Sequence, residues 1–356
     1  MKMDKISLIK SSFLNEEQTK KDLCKFIMDT DRFSMSNQCK LFEKRFALKQ
    51  KRKHAIFVSS GSSANLLLFQ ALLNSDKIKK GDRVFVSSLT WATNIMPLIQ
   101  LGLKPIPLDC SLETLNVDIN TIKKACNKNK DIKGLFLTNV LGMCSEIEEI
   151  SEYCEEKEIL FLEDNCESLG SEYKGKLLGN FGLASTFSFF IGHHISTIEG
   201  GMICTDDDEI AEQLKTSRAH GWSRDNSKAR TNVLKQKYKI DDFHSKYTFY
   251  ELGYNFRPTE INGFLGNIHL KYWDFITEKR QNIFKSFLKA TSKNNNIIKL
   301  KLKNINKISN FAFPLIFNNK ESFLKYKDIF EKNNIEIRPI LAGNITKQPF
   351  FQKYSR

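Results

Sequence analysis

Phe161-Leu162-Glu163-Asp164-Asn165-Cys166-Glu167 is an apolar run that closes on carboxylates and a small polar turn. A short apolar run bounded by turn residues reads as a buried strand, here with Asp164 at its carboxyl end. A carboxylate in that place has two uses. It can cap the turn that follows, or it can pair with a cationic ring nitrogen and keep that ring protonated. The strand by itself leaves both open.

The same pattern extends to either side. Residues 54–59, 83–87, 104–108, 134–139, 159–163, 185–190 and 201–205 read as buried strands, with helical patterns such as 62–73 and 146–157 between them. The alternation predicts an α/β fold, a mostly parallel seven-stranded sheet flanked by helices. Ligands gather at the carboxyl ends of such strands. Beyond residue 255 the pattern changes: 259–288 reads as one long helix, followed by a Lys/Asn-rich stretch and a strand–helix–strand run over 311–317, 321–333 and 335–340. The chain is therefore divided into a large domain with an N-terminal segment, 1–255, and a small C-terminal α+β domain, 256–356. Residues 348–356 add no closing element.

Composition narrows the class. A chain of 356 residues with 41% hydrophobic content can bury a large core. No apolar stretch approaches a membrane span, and the polar, mixed-charge start lacks the apolar region of a signal peptide, so a cytoplasmic protein is expected. The eight cysteines contain no CxxC pair, which argues against a disulfide framework or a zinc site. A net charge of +14 raises the question of nucleic acid. The excess is dispersed through Lys/Asn/Ile-rich stretches such as 292–310, so no nucleic-acid partner is expected; a polyanionic small molecule would profit equally.

Two more stretches carry chemistry. Ser59-Ser60-Gly61-Ser62-Ser63-Ala64 follows a strand and opens a helix. Small residues there let a phosphate reach free backbone N–H groups, although a plain serine N-cap has the same appearance. Thr186-Phe187-Ser188-Phe189-Phe190-Ile191-Gly192-His193-His194, followed by Glu199-Gly200-Gly201, offers a hydroxyl in Ser188 and a histidine pair. Adjacent histidines on a loop seldom bind one metal together, and no metal site is expected.

Order and content together resemble the sugar-aminotransferase family of fold-type I pyridoxal-phosphate enzymes across nearly the whole chain. The landmarks are Ser60-Gly61-Ser62, Leu89-Thr90-Trp91-Ala92-Thr93-Asn94, Glu163-Asp164-Asn165-Cys166-Glu167-Ser168-Leu169-Gly170, Phe187-Ser188-Phe189-Phe190, Glu199-Gly200-Gly201 and Leu252-Gly253-Tyr254-Asn255-Phe256-Arg257. In that family the position of His193, five residues after Ser188, usually holds the lysine that binds the cofactor covalently. A histidine there resembles the smaller group of 3-dehydratases that make 3,6-dideoxysugars. So do Ala219-His220-Gly221-Trp222-Ser223-Arg224-Asp225 and His244-Ser245-Lys246-Tyr247. One branch of that group carries an iron–sulfur cluster on cysteines mostly downstream of the histidine. Here only Cys204 follows His193, so no iron–sulfur cluster is expected.

The resemblance implies pyridoxal 5'-phosphate, cycling with pyridoxamine 5'-phosphate, as the cofactor, L-glutamate as amino donor and a GDP-linked 4-keto-6-deoxysugar as substrate. His193 would be the catalytic acid–base, since imidazole ionises near neutral pH, about 6.5 when unperturbed. Gly61, Ser62 and Ser188 would hold the phosphate, with Asn255 reaching it from the partner subunit of a homodimer. Trp91 would stack on the ring, Asp164 would pair with its nitrogen, and Glu167 would lie at its polar edge. His220, Arg224 and Arg338 are implied as substrate contacts, as are Arg32, Phe33 and Ser34. Surface ion pairs are the plainer reading of each arginine, and a core aromatic that of Trp91. Relatives continue past the Arg338–Thr346 run, so a small domain short of its closing elements is expected. A nucleotide-sugar aminotransferase and a non-catalytic regulatory protein of the same fold are the competing readings.

Overall fold

The computed structural model describes residues 5–9 and 11–355. Its strands are β1 (His54–Val58), β2 (Arg83–Ser87), β3 (Lys104–Leu108), β4 (Ile132–Thr138), β5 (Leu160–Asp164), the short β6 (Glu172–Tyr173) and β7 (Lys176–Leu177), β8 (Ala184–Ser188), β9 (Gly201–Thr205) and β10 (Ile305–Lys307). Seven of them form one sheet in the order β1-β9-β8-β5-β4-β2-β3. From β8 to β3 every neighbour is parallel, and β9 runs antiparallel to both β8 and β1. The strand readings from sequence agree with these spans to within two residues.

Alternation along each strand feeds two apolar layers. On one face Val84, Val86, Phe136, Leu162 and Ile203 pack against Leu67, Leu68, Phe69 and Leu72 of the helix Gly61–Asn74. On the other, Phe85, Leu135, Leu137 and Phe161 meet Ile122, Ile147, Ile150 and Cys154 from the helices Ile119–Lys128 and Ile147–Glu156. All five residues of β8 and of β9 are buried, as strands covered on both faces must be.

An aromatic cluster of Phe42, Phe46, Phe57, Phe187, Phe189 and Trp273 joins the sheet to the helices Asn37–Gln50 and Trp273–Thr291. The helices Asn37–Gln50 and Glu260–His269 touch closely because the second presents glycines. A Cβ on Gly263 would lie 2.5 Å from the Cys39 nitrogen, and one on Gly266 would lie 2.7 Å from the Phe42 ring. The buried carboxylate of Glu260 accepts the backbone N–H groups of Ser36, Gln38 and Cys39 at 2.7, 2.8 and 3.1 Å. It thereby satisfies the otherwise orphaned first turn of the Asn37–Gln50 helix.

The C-terminal third departs from the sequence reading. The expected helix over 259–288 is two, Glu260–His269 and Trp273–Thr291, separated by a 3-10 turn at Leu270–Tyr272. The turn lets Trp273 enter the aromatic cluster, 5.7 Å from Phe46 between ring centres. Residues 311–317 and 335–340 are not strands; each keeps a single bridge, Ile297 with Phe317 and Ile6 with Ile335. Pro314 and Pro339 remove ladder donors from these runs. The middle helix is present, Lys320–Lys332, and a short helix, Pro349–Tyr354, lies within 348–356, where no closing element is expected from sequence.

No helix among the described residues is long and apolar enough to cross a membrane.

Candidate active site

The helix Gly61–Asn74 begins three residues after β1 and is closed by a capping box. Ser63 N donates to Ser60 Oγ at 3.0 Å, and Ser60 N donates to Ser63 Oγ at 2.8 Å. The capping reading therefore holds for Ser60, and it leaves Gly61 and Ser62 free at the helix mouth. Ser62 is exposed. A Cβ on Gly61 would lie 2.6 Å from the Ser188 Cβ and 3.3 Å from the Cys166 sulfur. One on Gly201 would lie 2.2 Å from the Ser60 carbonyl oxygen. Close approach is thus what both glycines provide. It brings the positive end of a helix beside the Ser188 hydroxyl at the end of β8, an arrangement suited to an anion.

Asp164 ends the neighbouring strand, β5, and is buried. Its Oδ2 accepts from Asn94 Nδ2 at 2.6 Å and Asn65 Nδ2 at 3.1 Å, while Oδ1 accepts from Cys166 N at 2.9 Å. The amides aim the carboxylate without neutralising it, as a partner for a cation requires.

Trp91 and Arg338 meet across the mouth. The guanidinium carbon of Arg338 lies 5.7 Å from the Trp91 ring centre, within cation–π range. Trp91 is 48% exposed, so it has an open face for a ligand and is no core aromatic. Arg338 also donates to the Leu341 carbonyl at 3.1 Å. Beneath them Glu167 is buried and accepts from Leu141 N at 3.0 Å. Burial pushes its carboxyl up to about 8, and nearby Asp164 acts in the same direction, against the Leu141 N–H and Arg338.

His193 lies on the loop that leaves β8, where its N–H donates to the Phe190 carbonyl at 2.8 Å. Its half-buried ring tilts against Phe311, 5.1 Å between centres, and Nδ1 has no hydrogen-bond partner among the described residues. Burial, and then the Arg280 guanidinium, push its imidazole down to about 3, so the ring is neutral at physiological pH. His194 has a different task. Its Nε2 donates to the Ser309 carbonyl at 2.8 Å, which fixes the loop.

The remaining predicted positions stand further out. His220 packs edge-on to Trp222, 5.3 Å between centres, and Arg224 covers the same indole at 5.3 Å. Asn255 is exposed, bridges to Ala219 and accepts from Arg257 Nε at 3.0 Å. Arg32, Phe33 and Ser34 are exposed, on the strip that bridges to Thr259 through Ser34. Three residues beyond Thr259, the Asn262 amide donates to Thr197 O and Glu199 O, on the loop before β9, at 2.8 and 3.0 Å. The structure thus gathers Gly61, Ser62, Ser188, Asp164, Glu167, Trp91 and Arg338 around the carboxyl edge of the sheet, with His193 on the loop that follows Ser188. It leaves His220, Arg224, Asn255 and the 32–34 strip outside that group.

The model of the DegT/DnrJ/EryC1/StrS aminotransferase family matches residues 15–356. The chain belongs to this family. Among its relatives is the GDP-4-keto-6-deoxy-D-mannose 3-dehydratase of Escherichia coli O55:H7, 37% identical over 334 residues, 92% of this chain and 84% of the relative. The enzyme of the same name from Yersinia pseudotuberculosis is 37% identical over 336 residues, 92% and 83% of the two chains. A crystal structure of GDP-4-keto-6-deoxymannose-3-dehydratase with a trapped PLP-glutamate geminal diamine superposes with a TM-score of 0.89 at 33% identity, covering 98% of this chain and 89% of that one.

Around these residues sequence reasoning missed Asn65, the second amide on Asp164, and Arg280, whose charge acts on His193. Asn65 had a signal: an amide in the middle of the apolar run Ala64–Leu68 is a buried polar group that needs a partner. Asn94 lay within a quoted landmark, but its partner, seventy positions away, could not be read from local pattern. Among the described residues no group of three or more His, Cys, Asp or Glu is gathered as for a metal ion.

Proposed function

We propose that this chain is a pyridoxal-phosphate-dependent sugar 3-dehydratase that removes the C3 hydroxyl of a GDP-linked 4-keto-6-deoxysugar, with glutamate as amino donor. The observation that carries the reading is a neutral imidazole, His193, in the lysine position of an otherwise complete site. The relationship, over 92% of this chain, to enzymes named for this reaction supports it.

The residues present fit the cofactor. A helix mouth narrowed by Gly61 against Ser188, a buried carboxylate aimed by two amides and an open indole face correspond to phosphate, ring nitrogen and ring plane. When bound, the cofactor supplies an amine carrier and an electron sink. Gly61 N–H, Ser62 and Ser188 would hold its phosphate, and Asp164 would keep its ring nitrogen protonated. Trp91 would cover the ring, and Glu167, protonated at neutral pH, would donate a hydrogen bond at the polar edge.

His193 cannot tether the cofactor covalently, so these contacts do all the holding. Its neutral ring can take a proton at one step and return it at another. Net, the sugar loses the C3 oxygen and gains the two electrons given up by glutamate. Glutamate leaves as 2-oxoglutarate, and its nitrogen is released as ammonia rather than kept on the sugar.

Arg338, beside Trp91, is assigned to substrate phosphate, with His220, Arg224 and the strip of Arg32, Phe33 and Ser34 serving the nucleotide sugar. Asn255 lies away from its own phosphate mouth, which agrees with service to a partner subunit in a homodimer. A nucleotide-sugar substrate assigns the work to the cytoplasm, upstream of surface polysaccharide assembly. The reading is tested by incubating the protein with pyridoxal phosphate, glutamate and GDP-4-keto-6-deoxymannose. Ammonia appearing in step with 2-oxoglutarate is expected; 2-oxoglutarate without ammonia would indicate an aminotransferase.

A further inference from the structure

His193 also borders a hollow of about 560 Å³ to which Gly61, Asp164 and Ser188 contribute nothing. Its walls come from the helix Trp273–Thr291, the segment around Phe13 and the stretch from Asn310 to Phe313. The volume falls within the range of roughly 300–1,000 Å³ used for small molecules.

Arg280 is the unusual wall. Its Nη1 donates to the carbonyls of Asn310 and Phe311 at 2.9 and 3.3 Å. Among the described residues no carboxylate lies within ion-pair distance of it, and its other N–H groups have no protein partner there. A largely buried guanidinium without a counter-ion is costly unless something else supplies the charge. Two ring nitrogens in the same walls are also unsatisfied: His194 Nδ1, an acceptor because Nε2 carries the proton, and His269 Nε2, on side chains 6% and 2% exposed. Lys279 adds positive charge at the exposed rim. The charges of Arg280 and Lys279 repel a metal ion and attract an anion, while His194 Nδ1 can only accept from a donor group on the same ligand. The planar fork of arginine suits a carboxylate. Phe13, Ile276 and Phe311 offer apolar surface for methylenes next to it.

Resting on the function proposed above, we infer that this hollow recognises a carboxylate of the dicarboxylate amino donor, with Arg280 as its charged anchor. The donor's amine then lies toward His193, the one side chain that serves both the hollow and the cofactor site. Arg280 is a binding residue for the donor and takes no part in holding the nucleotide.

Glutarate, a dicarboxylate without an amine, probes the hollow without turnover. Calorimetric titration of the cofactor-loaded protein is expected to show glutarate binding. Arg280→Gln should weaken it by about ten- to a hundredfold, the range for a charge-assisted contact. Arg280→Lys should recover part of the loss, and GDP affinity should not change. Unchanged glutarate affinity in Arg280→Gln would overturn the inference, and so would parallel losses of glutarate affinity, GDP affinity and melting temperature. Should that variant fail to fold, Ile283→Trp fills the hollow from its rim with Arg280 intact. It should weaken glutarate in the same direction, and wild-type affinity there also overturns the inference. Because no product is measured, failure to dehydrate the ketosugar would count against the function and leave this result standing.

Discussion

Asn94 Nδ2 lies 2.6 Å from Asp164 Oδ2, the shortest of the contacts that aim this buried carboxylate. Removing the donor leaves an acceptor buried and under-satisfied. Asn94→Ala is expected to cost about 1.5–3 kcal/mol in urea unfolding. It should also raise the dissociation constant for pyridoxal phosphate in dialysis, since Asp164 would be free to turn. Unchanged stability and cofactor affinity would show that Asn65 and Cys166 N suffice.

His193→Lys restores the amine that the family usually carries at this position. The variant is expected to bind pyridoxal phosphate covalently, seen as a new visible absorption band removed by borohydride, and to lose ammonia release. An imidazole that only filled space would leave ammonia release intact.

Glu167 gives a pH signature in protein stripped of cofactor. Its folded carboxyl titrates near 8 against an ordinary value of 4.5. Between those values the folded state holds a proton that the unfolded chain has released, so this group's contribution to stability falls as pH rises. His193 and His269, pushed down to about 3 and about 4, act oppositely: the unfolded chain holds the extra proton, and stability falls as pH drops below 6.5. Glu167→Gln should therefore gain over wild type at pH 8 relative to pH 5, by on the order of a few kcal/mol. Equal pH profiles in denaturant midpoints would contradict the assignment.

Gly266 faces the Phe42 ring so closely that a Cβ would lie 2.7 Å from it. Gly266→Leu must separate the helices Asn37–Gln50 and Glu260–His269 and is expected to destabilise by about 3 kcal/mol or more, at the upper end of overpacking costs. Melting curves check this.

The large sheet was legible because its strands are apolar runs closed by turn residues, and Asp164 stands at its strand's end as read; Ser188, read within 185–190, closes β8 two residues earlier. Three things were not legible. The pairing of Asp164 with Asn65 and Asn94 depends on strand order, which local pattern does not encode. The break at Leu270–Tyr272 is set by where Trp273 can pack, because the helical period continues through it. Residues 311–317 alternate like a strand, yet Pro314 and the turn of Phe311 toward His193 leave no ladder.

Asn255 is assigned to a partner's phosphate, and subunit mixing tests it. Inactive His193→Ala and Asn255→Asp proteins, unfolded and refolded together, should regain part of the wild-type ammonia release, because one mixed site is intact. No recovery above the separate variants would remove the assignment.

His193 in place of lysine is the centre of the account, and the fate of sugar C3 tests it most directly. The nucleotide-sugar product formed with glutamate and GDP-4-keto-6-deoxymannose should be examined by NMR and mass spectrometry. A product one oxygen atom lighter than the substrate, with a methylene at C3 and no nitrogen, is the predicted result. A sugar that keeps its C3 hydroxyl and carries an amine at C4 would contradict it.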